Sequence, residues 1–234
     1  MKIKVWSDYV CPFCYIGKRE LENALKKTGF QDQVEVEFKA YQLDPSTPKN
    51  TEETIHEALA KKYSTTPEAM KQQAEGITKR AAEVGLTYNF DGMHPENTFK
   101  AHRLAKFAAT KGKEKEMTEC LLYGYFTENK RIGSDDVLIE LAKEIGFDEA
   151  EVKEALEEER FAAETLVDMQ EAQQIGVRGV PFFVINDRYA ISGAQSNDVF
   201  VQAIEKVAAE ENLKPTLQMF GDDSATCDDG HCGL

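Results

Sequence analysis

Positive charge is scarce in this sequence. Its 28 lysines and arginines are outnumbered by 42 aspartates and glutamates, which gives a formal net charge of −14 at neutral pH. No basic cluster interrupts this surplus, and such clusters are what draw proteins to nucleic acids and anionic membrane surfaces. We therefore expect no nucleic acid as a partner.

Long apolar runs are also missing. No segment approaches the roughly 20 apolar residues that a transmembrane helix needs. Lys2 and Lys4 are followed by Ser7 and Asp8, which interrupt any apolar stretch of the kind a signal peptide requires. We expect no membrane partner and a cytoplasmic location.

Cysteine is sparse as well, but two of the five cysteines form a Cys-x-x-Cys pair, Cys11 and Cys14. Residues 5–10 are rich in β-branched and aromatic side chains, which favours a strand. Apolar residues after Pro12 recur at helical spacing. Cys11 is therefore expected at a helix N-terminus, where free N–H groups and the helix dipole stabilise a thiolate. We predict that Cys11 is the attacking sulfur and Cys14 the resolving sulfur.

Two other interpretations of the pair have less support in the sequence. A structural zinc site needs two further ligands at comparable spacing, and the other close cysteine pair, Cys227 and Cys232, lies at the far end of the chain. An inert structural disulfide is rare in the cytosol, and an odd number of cysteines suits a reducing compartment. The sequence favours a redox pair and predicts neither a metal site nor a cofactor.

The pattern along the chain begins and ends with strands. Residues 33–39 alternate apolar and charged side chains, so with the first strand and its helix they predict a parallel βαβ unit. From about residue 51 to residue 172 the pattern is helical, with a helix start at Thr66-Pro67. Strands return on either side of Asn186-Asp187, a two-residue hairpin turn composition. A last helix is capped by Ser196 or Asn197.

These elements predict an α/β fold, in which a mixed four-stranded sheet is flanked by helices and carries an inserted all-α domain. The sheet domain comprises residues 1–48 and 170–220, and the helical domain comprises residues 49–169. Residues 221–234 form an acidic tail that has little to bury and carries Cys227 and Cys232.

Three segments of the sequence together resemble one known family. They are the strand that enters Cys11-Pro12-Phe13-Cys14, residues 97–104 (Asn-Thr-Phe-Lys-Ala-His-Arg-Leu), and residues 176–184 (Gly-Val-Arg-Gly-Val-Pro-Phe-Phe-Val) followed by residues 191–195. With the Cys-x4-Cys tail they resemble the cytoplasmic, FrnE-like branch of the DsbA family.

The resemblance implies a thioredoxin fold and a cis peptide bond between Val180 and Pro181, placed beside Cys11. Only about 5–6% of X–Pro bonds are cis, so the residues alone favour a strand start at Pro181. A cis proline there leaves the backbone of Val180 open to an extended substrate. Pro12 and Phe13 would shape the active site around the sulfur.

Phe13 is also a departure from the related exported oxidases, which carry a histidine at this position. Phe13 offers the Cys11 thiolate no hydrogen bond, so a strong oxidant role is not expected. Outside this motif, His102 is expected to be a hydrogen-bonded core histidine. Cys120 is expected to be a small buried hydrophobe.

The sequence therefore predicts a thiol–disulfide oxidoreductase that acts on protein or peptide disulfides and is recycled by a small thiol or a thioredoxin-type reductant. Cys227 and Cys232 form a second redox pair, bind metal with His231, or remain free thiols. Two alternatives for the whole chain stay open. One is a glutathione-dependent isomerase or kappa-type transferase, which usually has serine in place of one of the paired cysteines. The other is a peptide-binding holdase.

Overall fold

The computed structural model describes residues 1–48 and 51–216, together with the backbone of residues 227–228 and 231–232. Four strands form one sheet in the order β2-β1-β3-β4. Their bounds are β1 Lys2–Ser7, β2 Glu35–Ala40, β3 Phe182–Ile185 and β4 Tyr189–Ser192. β1 is parallel to β2 and antiparallel to β3, and β3 is antiparallel to β4. The predicted mixed four-stranded sheet is confirmed.

Two helices cover one face of this sheet. Helix α1 (Pro12–Thr28) connects β1 to β2, and helix α9 (Asn197–Glu210) follows β4. Both helices present an apolar stripe, which for α1 agrees with the predicted spacing. The stripes pack with the inward-facing strand residues into one buried core, which includes Ile3, Val5, Leu21, Phe183, Phe200 and Ile204.

Helix α8 (Glu159–Gln174) covers the opposite face. The indole Nε1 of Trp6 donates to the carbonyl oxygen of Asp168 over 3.0 Å, and the amide of Ala40 donates to the Asp168 carboxylate over 2.9 Å. The predicted boundary between residues 169 and 170 falls inside this helix. A continuous helix binds the sheet through its middle and its end, which a pattern of local periodicity does not reveal.

The described residues between β2 and β3 contain helices and no strand. Besides α8 they are α2 Ile55–Lys62, α3 Pro67–Glu83, α4 Phe99–Thr110, α5 Glu114–Phe126, α6 Asp135–Glu144 and α7 Glu149–Glu157. The predicted start of α3 is confirmed, since the Thr66 side chain accepts from the amide of Ala69 and Pro67 is the first helical residue. None of the helices in the described residues is long and apolar enough to cross a membrane.

The β3–β4 hairpin differs from its prediction by one residue. Asn186 and Asp187 have positive φ angles of 50° and 54°, as a tight hairpin turn requires. The amide of Arg188 donates to the carbonyl of Ile185 over 3.0 Å. The ladder then resumes with Ile185 opposite Tyr189, so Arg188 belongs to the loop and not to the strand.

The predicted acidic tail lies outside the described residues, except for two short strands described by their backbone only. They are β5 (Cys227–Asp228) and β6 (His231–Cys232), which pair antiparallel with Cys227 opposite Cys232.

Candidate active site

Cys11 lies at the start of helix α1. It is the N-cap residue, with an extended backbone (φ −91°, ψ 112°), and Pro12 occupies the first helical position. The amide of Cys14 donates to the Cys11 carbonyl over 3.0 Å, which closes the first turn. The first turn itself carries no acidic side chain, so no acidic residue of the helix opposes the positive end of its dipole at this sulfur.

The two sulfurs have different surroundings. Cys11 and Cys14 are 5% and 2% exposed, and both are free thiols. The Cys11 thiol donates to the carbonyl oxygen of Val180 over 3.5 Å, whereas the Cys14 sulfur accepts from the amide of Asp8 over 3.5 Å. Burial, and then the contact with Cys11, raises the pKa of the Cys14 thiol well above its usual value. Cys14 is therefore held as a neutral thiol behind Cys11.

The loop before β3 forms the other side of the site. The peptide bond between Val180 and Pro181 is cis, and the amide of Gly193 donates to the Pro181 carbonyl over 2.8 Å. Gly17 of α1 makes this close approach possible. A Cβ at that position would lie 3.0 Å from the Pro181 ring and 3.1 Å from Phe183. The helix and the proline loop therefore meet because residue 17 has no side chain.

The helical segment contacts the dipeptide between the two cysteines. Phe13 is 37% exposed, and the Arg80 guanidinium of α3 lies 5.6 Å from the centre of its ring. Arg80 also donates to the carbonyl of Ala194, in the loop that binds Pro181. The Tyr88 hydroxyl donates to the Pro12 carbonyl over 2.7 Å. Sequence reasoning missed Arg80 and Tyr88, because no local motif connects them to the cysteines.

A cleft of about 570 Å³ opens beside Cys11. Its floor includes Cys11, Pro12 and Phe13, and its walls come mainly from α2, α3, the segment that follows α3 and the last residue of α5. The wall side chains are mostly apolar and include Leu59, Met70, Ile77, Phe90, Met93 and Phe126. A site of this size and polarity suits an apolar group of a substrate held next to the sulfur.

The prediction for His102 is confirmed, whereas the prediction for Cys120 is wrong. His102 is buried, and its Nε2 lies 3.0 Å from the carbonyl oxygen of Tyr41, as expected for a hydrogen-bonded core histidine. The expectation that Cys120 is buried is wrong, since it is only half-buried at the surface of α5. Its thiol contacts the Leu141 carbonyl at 3.5 Å. Partial burial, together with the charge of Glu144, raises the pKa of Cys120 to about 12.

The sequence and the fold both have known relatives. The family model of the DSBA-like thioredoxin domain matches residues 2–205. An uncharacterized protein of Bacillus subtilis strain 168, YwbO, is 33% identical over 204 residues, which cover 86% of this chain and 94% of the relative.

Two solved structures illustrate the likeness of fold. The probable DsbA oxidoreductase SCO1869 from Streptomyces coelicolor is 32% identical and superposes with a TM-score of 0.85, covering 100% of this chain and 99% of its own. The cytosolic disulfide reductase DsbM from Pseudomonas aeruginosa, solved with GSH, is 16% identical with a TM-score of 0.63. The match covers 89% of this chain and 100% of DsbM. At that identity the second likeness concerns the fold alone.

Proposed function

The chain belongs to the DsbA-like thioredoxin family, and we propose that it is a thiol–disulfide oxidoreductase that exchanges disulfides with protein or peptide substrates through Cys11 and Cys14. One observation carries this proposal. The Cys11 sulfur lies at the start of a helix, 3.5 Å from the carbonyl of Val180, in a cleft that a substrate can enter. A reactive sulfur and an open backbone edge are the two elements that disulfide exchange with an extended chain needs.

In the reductive direction the Cys11 thiolate attacks a substrate disulfide. A Cys11–substrate disulfide forms, and the other substrate sulfur leaves as a thiolate. Cys14 then attacks Cys11 and gives its proton to the second substrate sulfur, which takes the electron pair of the broken bond and leaves as a thiol. The raised pKa of Cys14 keeps it protonated until this step, so it does not compete with Cys11 for the first attack. The oxidative direction uses the same steps in reverse.

Substrate binding is assigned to four residues around the sulfur. Val180 offers its backbone beside the cis proline Pro181, and the exposed ring of Phe13 with Pro12 forms the rim of the apolar cleft. The sheet part of the chain carries Cys11 and Cys14, while the helical part supplies most of the cleft walls. We assign the protein to the FrnE-like cytoplasmic branch and expect a small thiol or a thioredoxin-type protein to recycle it.

Cys227 and Cys232 are proposed as a second redox pair. Directly opposite residues of an antiparallel ladder have Cα atoms about 4.5–5.5 Å apart, which is within the range that a disulfide spans. The amide of Thr216 donates to the carbonyl of Gly29 at the far end of α1, and α1 is about 26 Å long. The roughly 11 residues from Thr216 to Cys227 reach at most about 40 Å. That length is sufficient for an encounter with Cys11.

Insulin-disulfide reduction with dithiothreitol tests the main proposal. The wild type and Cys120→Ser, which removes a thiol that does not line the cleft, are expected to accelerate reduction equally. Cys11→Ser is expected to be inactive, because no other thiol occupies the helix start. Activity of Cys11→Ser equal to that of the wild type would contradict the proposal.

Redox titration in glutathione buffers tests the second pair. The wild type is expected to show two transitions, one for each pair. The double variant Cys227→Ser/Cys232→Ser is expected to show only the transition of Cys11 and Cys14. If its titration is indistinguishable from that of the wild type, the tail pair has no redox role.

A further inference from the structure

A buried carboxylate that the exchange steps above do not use lies beside the two cysteines. Asp8 is 0% exposed. Its carbonyl accepts from the amide of Cys11 over 3.1 Å, and its own amide donates to the Cys14 sulfur. Its Oδ2 accepts from the amide of Leu43 over 2.8 Å, whereas its Oδ1 is buried without a hydrogen-bond partner among the described residues.

The imidazole of His102 lies next to this unpartnered oxygen. Its Nε2 is 3.4 Å from Asp8 Oδ1 and 3.0 Å from the carbonyl oxygen of Tyr41. Both neighbours are acceptors, so Nε2 carries a hydrogen. The ring is 4% exposed and its centre lies 4.7 Å from that of Tyr9, so the contact is shielded from bulk solvent.

A buried carboxylate with one free oxygen is costly unless a positive charge compensates it. Two other cations of the surrounding elements, Lys39 and Lys106, both bind the carboxylate of Asp168. Burial raises the pKa of Tyr9 and of Glu114, and the Glu114 carboxyl accepts from the amide of Phe38. Among the described residues, His102 is therefore the side chain that can carry a positive charge within ion-pairing distance of Asp8 Oδ1.

We propose that His102 is a positioning residue for the redox pair, whose positive charge holds Asp8 as a carboxylate against the active-site turn and offsets the negative charge beside Cys11 and Cys14. The proposal rests on the proposed function and assigns a role in it to the helical segment. Reduction of the pair places thiolate charge in the site. With a cationic His102 the site accepts that charge, whereas without it the Asp8 carboxylate repels the thiolate. His102 therefore favours the reduced form of the pair.

A double-mutant cycle in glutathione buffers at pH 7 tests this assignment. His102→Gln keeps an N–H for the Tyr41 carbonyl but removes the charge. It is expected to shift the equilibrium with glutathione about tenfold toward the disulfide form, which corresponds to about 30 mV for a two-electron couple. Asp8→Asn/His102→Gln is expected to lie within about twofold of Asp8→Asn, because the repelling carboxylate is gone. His94→Gln, a histidine elsewhere in the helical segment, serves as the control and is expected to match the wild type.

The outcomes separate a charge effect from a structural one. An equal shift by His102→Gln in the wild-type and Asp8→Asn backgrounds overturns the proposal, as does a folded His102→Gln protein with an unchanged equilibrium. The nitrogen chemical shifts of His102 in the wild type test the assignment even if the variant does not fold. A cationic ring at pH 7 supports the proposal, and a neutral ring overturns it. A wild type that never equilibrates with glutathione contradicts the proposed function itself, before any variant is compared.

Discussion

The thiol of Cys11 donates to the carbonyl oxygen of Val180 over 3.5 Å, although 169 positions separate the two residues in the chain. This contact joins the start of helix α1 to the loop that enters β3. It places the sulfur beside a backbone carbonyl at the mouth of an apolar cleft. The contact brings together the sulfur that we propose as the nucleophile and the backbone with which we propose that an extended substrate pairs.

Replacement of Cys14, the proposed resolving cysteine, is expected to separate the two enzymatic alternatives. Cys14→Ser leaves the Cys11–substrate disulfide without an intramolecular attacker, so insulin reduction is expected to fall by at least about 100-fold and mixed disulfides to accumulate. Mass spectrometry without reductant would detect them. A glutathione-dependent isomerase that needs one sulfur would instead retain its turnover in Cys14→Ser. Retained isomerisation of a glutathione-dependent substrate, without trapped adducts, would favour that alternative.

Two glycine-to-alanine substitutions in helices are expected to have opposite effects on stability. Gly17→Ala places a Cβ 3.0 Å from the Pro181 ring, so we expect a loss of about 1–2 kcal/mol in the free energy of unfolding. Gly76→Ala in α3 meets no atom within 4 Å and is expected to stabilise the protein by about 0.5–1 kcal/mol through helix propensity. Urea unfolding of both variants provides the comparison. A Gly17→Ala protein as stable as Gly76→Ala would show that α1 does not pack tightly against the proline loop.

Cys120 is expected to resist alkylation in the native protein. Its pKa of about 12 leaves about one molecule in ten thousand as the thiolate at pH 8, and the thiolate is the reactive form. Iodoacetamide labelling at pH 8, followed by peptide mapping, is expected to modify Cys120 slowly in the native state and rapidly in urea. Equal rates in the two states would contradict the shielding by α6.

The ion pairs of Glu37 are expected to make stability depend on acid pH. Burial alone would raise the pKa of Glu37, but Lys2 and Lys39 bind its carboxylate at 2.7 and 2.9 Å and lower the pKa to about 2. Because the pKa is lower in the folded protein than the usual 4.5, the stabilisation is complete above about pH 5 and is lost as the pH falls toward 2. Solvent screening limits it to about 1 kcal/mol.

Urea unfolding of the wild type and Glu37→Gln at several pH values measures this contribution. The wild type is expected to be more stable by about 1 kcal/mol at pH 7, and the two proteins are expected to converge near pH 2. Glu35→Gln is the matched control, because the Glu35 carboxylate is 69% exposed in its pair with Lys2. A difference that stays constant from pH 7 to pH 2 would exclude the ion pairs as its cause.

The features that the sequence predicted correctly depend on residues close together in the chain. The alternation of residues 33–39 predicted β2, and Thr66-Pro67 predicted the start of α3. The spacing of Cys11, Pro12 and Cys14 predicted a helix start at the first cysteine. Each of these follows from local backbone geometry, capping or the period of side chains along one element. The error over Cys120 arose because tertiary contacts decide how far a side chain is buried.

By itself, then, the sequence determined the Cys-x-x-Cys pair, its place at a helix N-terminus and the order of strands and helices. Only the tertiary structure decided which distant groups surround the pair: Val180 beside Cys11, Arg80 over Phe13, and His102 next to Asp8. The physical reason is that local patterns fix the face an element buries, whereas the partner of a buried charge or a thiol depends on how the elements pack.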